Sequence, residues 1–289
     1  IRIRSLAWSG DEVGNRLRPE GYANHLKNLL KAWPAKAVIL GFGRNEAFNG
    51  IEGLERFRVD LRVYLDEIKR RHPSSQIVLL SPLAAEQTIS KHFPIALTRN
   101  PIIKEYVQVM AEQATQQNVA FINLFEQTKI PLRFSSGPAL TRDGSLLNHE
   151  GLRWLAYHLA HSLIEGDFPQ VNQSRLENIA LAASQKAALA AKLTRPVNAV
   201  IYYGVRARPE EYETEMPRYH RLVEQAETVL HSLASSPVTP FIGFPPPSLP
   251  PLIENKSRPP RNPPGTILSP HDQMATIEVA KGFQLNLFA

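Results

Sequence analysis

The sequence predicts an α/β fold built on a parallel sheet, followed by a helical extension and a proline-rich tail. Two observations predict it. Short apolar runs near 36–42, 76–83 and 119–125 alternate with amphipathic helix patterns, the order expected of βαβ units joined by right-handed crossovers. The clearest of these runs, Val38-Ile-Leu40, also breaks into the polar, glycine-punctuated turn Gly41-Phe-Gly-Arg-Asn-Glu46. Open α/β sheets place their sites in such turns, at the carboxyl ends of strands.

Taken in order, Ile1–Trp8 alternates and then turns apolar, which predicts a strand entering a sheet, and Ser9-Gly10-Asp11 ends it in a turn. Tyr22, Leu26, Leu29, Leu30 and Trp33 fall at helical spacing before Pro34 stops the helix. Val38, Ile39 and Leu40 carry no polar residue, the pattern of a strand buried on both faces. Leu54, Phe57, Leu61, Tyr64, Leu65 and Ile68 make a single apolar stripe, ended by Pro73-Ser-Ser75. Gln76–Leu83 is the next strand, and a polar loop holding His92 leads to a stripe at Ile103, Tyr106, Val107, Met110 and Ala114. Val119–Phe125 is the last strand. After a loop at 126–147, Asn148 is placed to cap a helix with Leu152, Leu155, Ala156, Leu159 and Leu163 on one face.

That closes a domain at 1–166. In the extension, 167–235, Ser174-Arg-Leu-Glu177 has the form of a capping box opening an Ala-rich helix to about Leu193. An extended segment covers Thr194–Gly204, and a further helix starts near Pro217. Between Ser235 and Pro270 lie 12 of the 24 prolines, which predicts an extended, semi-rigid linker within a last segment, 236–289, that ends in the start of a following domain.

Composition excludes several classes. The net charge of +6 comes from 33 basic and 27 acidic residues, and apart from Lys69-Arg-Arg71 the basic groups are dispersed, so no nucleic-acid surface is indicated. No apolar run approaches the ~20 residues of a membrane-spanning helix. The absence of cysteine removes disulfides and thiolate chemistry and leaves the compartment undecided. No histidine–carboxylate cluster has metal-ligand spacing. Neither Gly-x-Gly-x-x-Gly nor Gly-Lys-Ser/Thr is present, so a nucleotide-binding module is excluded and no cofactor is expected. Because the chain opens on Ile1 inside an extended pattern, its biological start is expected upstream, with any export signal.

Two stretches carry chemistry. In Gly43-Arg-Asn-Glu46, Asn45 offers an uncharged amide that can donate to developing negative charge; taken alone, it equally reads as a loop whose Asn45 and Glu46 cap a helix. The second stretch is Leu140-Thr-Arg-Asp-Gly-Ser-Leu-Leu-Asn-His-Glu-Gly151. With Gly10 in Trp8-Ser-Gly-Asp11, they resemble the SGNH (GDSL-type) esterase/lipase superfamily over roughly residues 1–165. The resemblance implies a three-layer α/β/α, SGNH/flavodoxin-like fold, its parallel sheet covered by helices on both faces and four sequence blocks on loops at one edge. It implies that the Gly10 N–H and Asn45 face the oxyanion and that Asp143 orients the base. Asp143, Gly144, Leu147, Asn148 and Gly151 keep the family pattern Asp-Gly-x-His-Leu-Asn-x-x-Gly.

Two departures matter. Leu146 stands where the catalytic histidine is expected, and no Gly-Asp-Ser block is present to supply the nucleophile. A serine hydroxyl needs a base within hydrogen-bond reach, and leucine cannot exchange a proton. His149 and His92 are the replacement candidates, and each also reads as an exposed or capping histidine. In such sheets the missing first strand is central, so its absence implies a gap in the core. The implied activity is hydrolysis of carboxylic esters, with a small ester or acylated carbohydrate as substrate. The alternative is a ligand-binding or packing module without catalysis. The tail segments Thr194–Asn198, Tyr202–Gly204 and Ile277–Phe288 resemble parts of large multidomain bacterial proteins. In those, an SGNH module precedes a propeller-type, dehydrogenase-like domain, so neighbouring domains are expected partners and a periplasmic or extracellular location is the compartment to test.

Overall fold

A computed structural model describes residues 2–87, 96–128, 139–164, 172–196 and 208–235, together with 166, 202 and 243–244. The proline-rich segment, His92 and most of Thr194–Gly204 lie outside the described residues, apart from Gly243 and Phe244 of the first. Three strands form one parallel sheet in the order β1 (Ala37–Gly41), β2 (Gln76–Leu80), β3 (Ala120–Ile122). Each successive pair is joined by a helix, α2 (Leu54–Arg71) and then α3 (Ala96–Gln117). The chain is therefore an α/β fold on a parallel sheet, as expected. Sequential order with right-handed crossovers steps the sheet in one direction and leaves both helices on one face. The two do pack together, with the Phe57 and Tyr106 rings 5.1 Å apart.

Register decides what that core contains. Leu40 pairs with Leu79, Val38 with Ile77 and Leu79 with Phe121, so these side chains share a face. They join Phe57, Leu61 and Leu65 of α2 and Ile103, Tyr106, Val107 and Met110 of α3 in one cluster. The helix stripes legible in the sequence are thus the buried ones. Ile39 and Val78 point the other way, and Ile39 is 47% exposed. The expectation that β1 is buried on both faces is corrected: among the described residues it is the edge strand of the sheet, and its Ile39 face is left largely uncovered.

A second correction concerns the N-terminus. Arg2–Ala7 is not a strand, and Ile3 is 75% exposed. A strand needs a ladder partner, and this segment instead runs over the helical extension. There the Ile3 carbonyl accepts from Lys186 Nζ, and Ala7 O accepts from Arg195 Nη1 at 3.0 Å.

The remaining helices are α1 (Tyr22–Ala32), α4 (His149–Leu163), α5 (Gln173–Thr194) and α6 (Pro209–Ser235). Leu29 of α1 shares a core with Ala190, Leu193, Met216 and Val223 of α5 and α6. The cap of α5 is Asn172, whose side chain accepts from Arg175 N at 3.0 Å, and not Ser174. α6 starts eight residues before Pro217, which lies inside it; buried Met216 holds this first part against the core. The apolar stripe expected on α4 is left largely uncovered. Among its residues only Gly151 is buried, and Leu152 is 56% exposed.

Candidate functional site

The loop bearing Asn45 follows the carboxyl end of β1, the loop bearing Gly10 follows the extended N-terminal segment, and side chains stitch these loops to the one around Asp143. Glu46, directly after Asn45, is buried; its Oε1 accepts from Val13 N at 2.7 Å and its Oε2 from Gly43 N at 2.8 Å. Burial pushes the Glu46 carboxyl above the ordinary range, against these two N–H bonds that favour its charged form. Asn45 Nδ2 donates to Asp11 O at 2.9 Å. The loop after Trp8 and the loop after β1 are therefore joined twice, and Asn45 stands next to the turn that carries Gly10. Gly10 is exposed at φ +79°, a left-handed conformation that glycine alone adopts at little cost. Asp11 is held by Arg18, with Nη1 donating to Oδ1 at 2.8 Å.

The loop after β2 joins the third motif. Glu86 is buried and accepts from Leu140 N at 2.9 Å, from Thr141 N at 2.8 Å and from the Thr141 hydroxyl. Its own N–H donates to Gly144 O at 2.9 Å. Arg44 bridges the loops after β1 and β2 through Leu83 O at 3.4 Å, and the charge of Asp143 reaches its guanidinium. Gly10, Asn45 and Asp143 accordingly sit on one connected set of loops at one sheet edge.

Among the described residues, Asp143 bonds to no imidazole. Its Oδ1 accepts from Ser145 N at 2.8 Å and Leu146 N at 2.7 Å, closing a local turn in which Gly144 takes φ +83°. Leu146 is 65% exposed. His149 is the exposed first residue of α4, after the cap Asn148, whose Oδ1 accepts from Gly151 N at 3.0 Å. Gly151 has a packing reason. A Cβ there would stand 2.0 Å from Leu140 O and 2.9 Å from Leu147 Cδ2, so only glycine lets the helix start lie on this loop.

Sequence reasoning missed Glu86, a lone acidic residue in a loop with no motif around it. It also passed over the buried Ser81, whose hydroxyl accepts from Phe125 N at 3.0 Å and donates to Pro82 O. Among the described residues no group of three or more His, Asp or Glu side chains is placed to hold a metal, and no helix is long and apolar enough to cross a membrane.

No curated protein matches the chain. Solved structures with a similar fold include a lipase/acylhydrolase from Enterococcus faecalis, at 22% identity and TM-score 0.36 over 53% of this chain and 71% of that one. An acetyl xylan esterase, AlAXEase, gives 17% and 0.39 over 54% and 77%. A catalytic mutant of the acetylxylan esterase Axe2 from Geobacillus stearothermophilus gives 18% and 0.41 over 56% and 72%. The profile of the GDSL-like lipase/acylhydrolases matches residues 2–159, which span the three strands, the loops around Gly10, Asn45 and Asp143, and most of α4. On that match, over more than half of its length, the chain belongs to the GDSL-like lipase/acylhydrolase family.

Proposed function

We propose that residues 1–166 form a carboxylic-ester hydrolase scaffold, suited to small or carbohydrate-borne acyl esters, whose catalytic set is incomplete within these 289 residues. One observation carries the proposal: Leu146, where the resemblance puts the base, is exposed, and Oδ1 of Asp143 accepts from the amides of Ser145 and Leu146. On this reading Gly10 N–H and Asn45 Nδ2 are the oxyanion donors. Asn45 supports that role because its bond to Asp11 O uses one N–H of an amide that has two. The nucleophile on this reading is either a serine of a Gly-Asp-Ser block outside residues 1–289 or absent, and Leu146 would offer it no base. His149 is a poor substitute, since the first turn of α4 holds it outside the Asp143 turn.

The second reading, a module that binds an acyl or sugar ligand or packs against neighbouring domains of a larger polypeptide, is favoured by the uncovered stripe of α4. The propeller-type neighbour belongs to this proposal as well.

An aryl-ester assay separates the two. The chain as it stands is expected to give no burst and negligible turnover. Joined to an upstream Gly-Asp-Ser strand–helix unit, it should remain poor. Adding Leu146→His to that longer chain should raise the rate ~10²–10⁴-fold, the usual contribution of one positioned base. Activity of the longer chain before that substitution, lost on His149→Ala or His92→Ala, would show that the base has moved. Silence after both restorations would leave the binding reading.

A further inference from the structure

We infer that Arg44 and Arg99 form an anion-binding pair beside Asn45, and that the ligand of this site carries a carboxylate or phosphate group near its acyl ester. The inference rests on the ester-site reading above and adds a substrate class to it. Both guanidinium groups are anchored to the loop that bears Asn45. Arg44 precedes Asn45 in the chain and reaches Leu83 O at 3.4 Å, a weak bond for a side chain with five donors. Arg99, in the first turn of α3, lies 3.7 Å from the ring centroid of Phe48. Phe48 N in turn donates to Asn45 O at 3.0 Å. Both arginines are half-buried.

Among the described residues neither has an ion pair, whereas Arg4, Arg18, Arg58 and Arg71 each have one. The acidic groups near them are engaged elsewhere. Glu46 and Glu86 each accept from backbone N–H groups, and one oxygen of Asp143 closes its own turn. The charges of Arg99 and Asp143 both reach Arg44. Burial, then the charge of Arg99, hold its guanidinium below the usual arginine value, against Asp143. Two partly desolvated cations, with one carboxylate whose charge reaches Arg44 alone, leave a positive excess at the site. Planar guanidinium forks meet that need with a bidentate oxyanion.

Binding tests this without requiring turnover. The 289-residue chain is titrated calorimetrically at low salt with glucuronate, glucose 6-phosphate and glucose. At least one of the two anions is expected to bind roughly 10-fold or more tightly than glucose, and whichever binds better identifies the anion as carboxylate or phosphate. Arg44→Gln and Arg99→Gln should each weaken that binding roughly 10-fold, while Arg70→Gln on exposed α2 surface should leave it unchanged. Arg99, half-exposed at a helix start, can be removed without opening the core, so its variant remains informative should Arg44→Gln unfold. Equal affinity for glucose and both anions, no binding of any of the three, or equal weakening by Arg70→Gln would each overturn the inference. A silent ester assay with intact anion binding would count against the hydrolase reading alone. Restored hydrolysis without anion selectivity would count against the arginine pair alone.

Discussion

At single residues the site is held by buried acceptors more than by its motif letters. Glu86 ties Leu140, Thr141 and Gly144 to the loop after β2, so its removal strands two backbone N–H groups inside the fold. Hydrogen bonds to a charged acceptor contribute about 1.5–3 kcal/mol each, and orphaned buried donors add to the loss. Glu86→Ala is expected to destabilise the protein by at least about 3 kcal/mol in urea unfolding, and Glu86→Gln, which keeps one acceptor, by clearly less. Equal losses for the two would show that the carboxyl group is not the clamp. Gly151→Ala drives a methyl into the Leu140 carbonyl and should cost about 1–3 kcal/mol by overpacking; unchanged stability would mean that the loop yields freely. Gly151 was visible in the sequence because it belongs to a spaced pattern around Asp143. Glu86 was not, because a lone glutamate in a loop looks the same whether it is solvated or buried.

Among the elements, β2, α2 and α3 were legible for one reason. A side chain's period fixes which face it presents, and here the whole face is covered. Period says nothing about what covers a face, and that is where α1, α4 and Arg2–Ala7 escaped the reading. The stripe of α1 found α5 and α6, and His25, passed over as polar, is central to that junction. Its Nε2 lies 2.8 Å from Leu193 O, a carbonyl that can only accept, so Nε2 carries the proton and Nδ1 accepts from the Tyr212 hydroxyl at 2.9 Å. Burial holds His25 below its ordinary value, and His220 is shifted the same way, again first by burial. A histidine whose folded pKa is depressed binds its proton more readily when unfolded. Its stabilisation is present above the unfolded value near 6.5 and falls as the pH drops below it, by about 1.4 kcal/mol per pH unit until the folded value is reached. Urea midpoints of the wild type between pH 8 and 5 should decline on this side, and His25→Gln should flatten the decline. A variant with the same slope as the wild type would remove His25 from the account.

Across the described residues, one core is sealed between the sheet and α2 and α3, while the Ile39 face of β1 and the stripe of α4 are left largely uncovered. The N-terminal segment, free of any ladder, is held by charge. Glu227 of α6 is buried and accepts from Arg4 Nε at 3.0 Å and Nη2 at 2.8 Å, with Lys186 Nζ at 3.5 Å. Desolvation raises the Glu227 carboxyl, but the Arg4 bonds and the charges of Arg4, Lys186 and Arg2 outweigh it, and the group sits below its ordinary value. Its contribution is therefore present above the unfolded value and lost as the pH falls through the folded one. A buried pair gains little over apolar packing, yet breaking it from one side leaves an uncompensated charge. Glu227→Ala should thus cost about 3–5 kcal/mol and expose the bonds after Arg2 and Arg4 to trypsin, because both arginines lose their anchor. The triple change Arg4→Met, Lys186→Met, Glu227→Leu should recover most of that stability. A loss below about 1 kcal/mol for Glu227→Ala would mean that water already reaches the pair, and that the N-terminal segment is held by something other than this network.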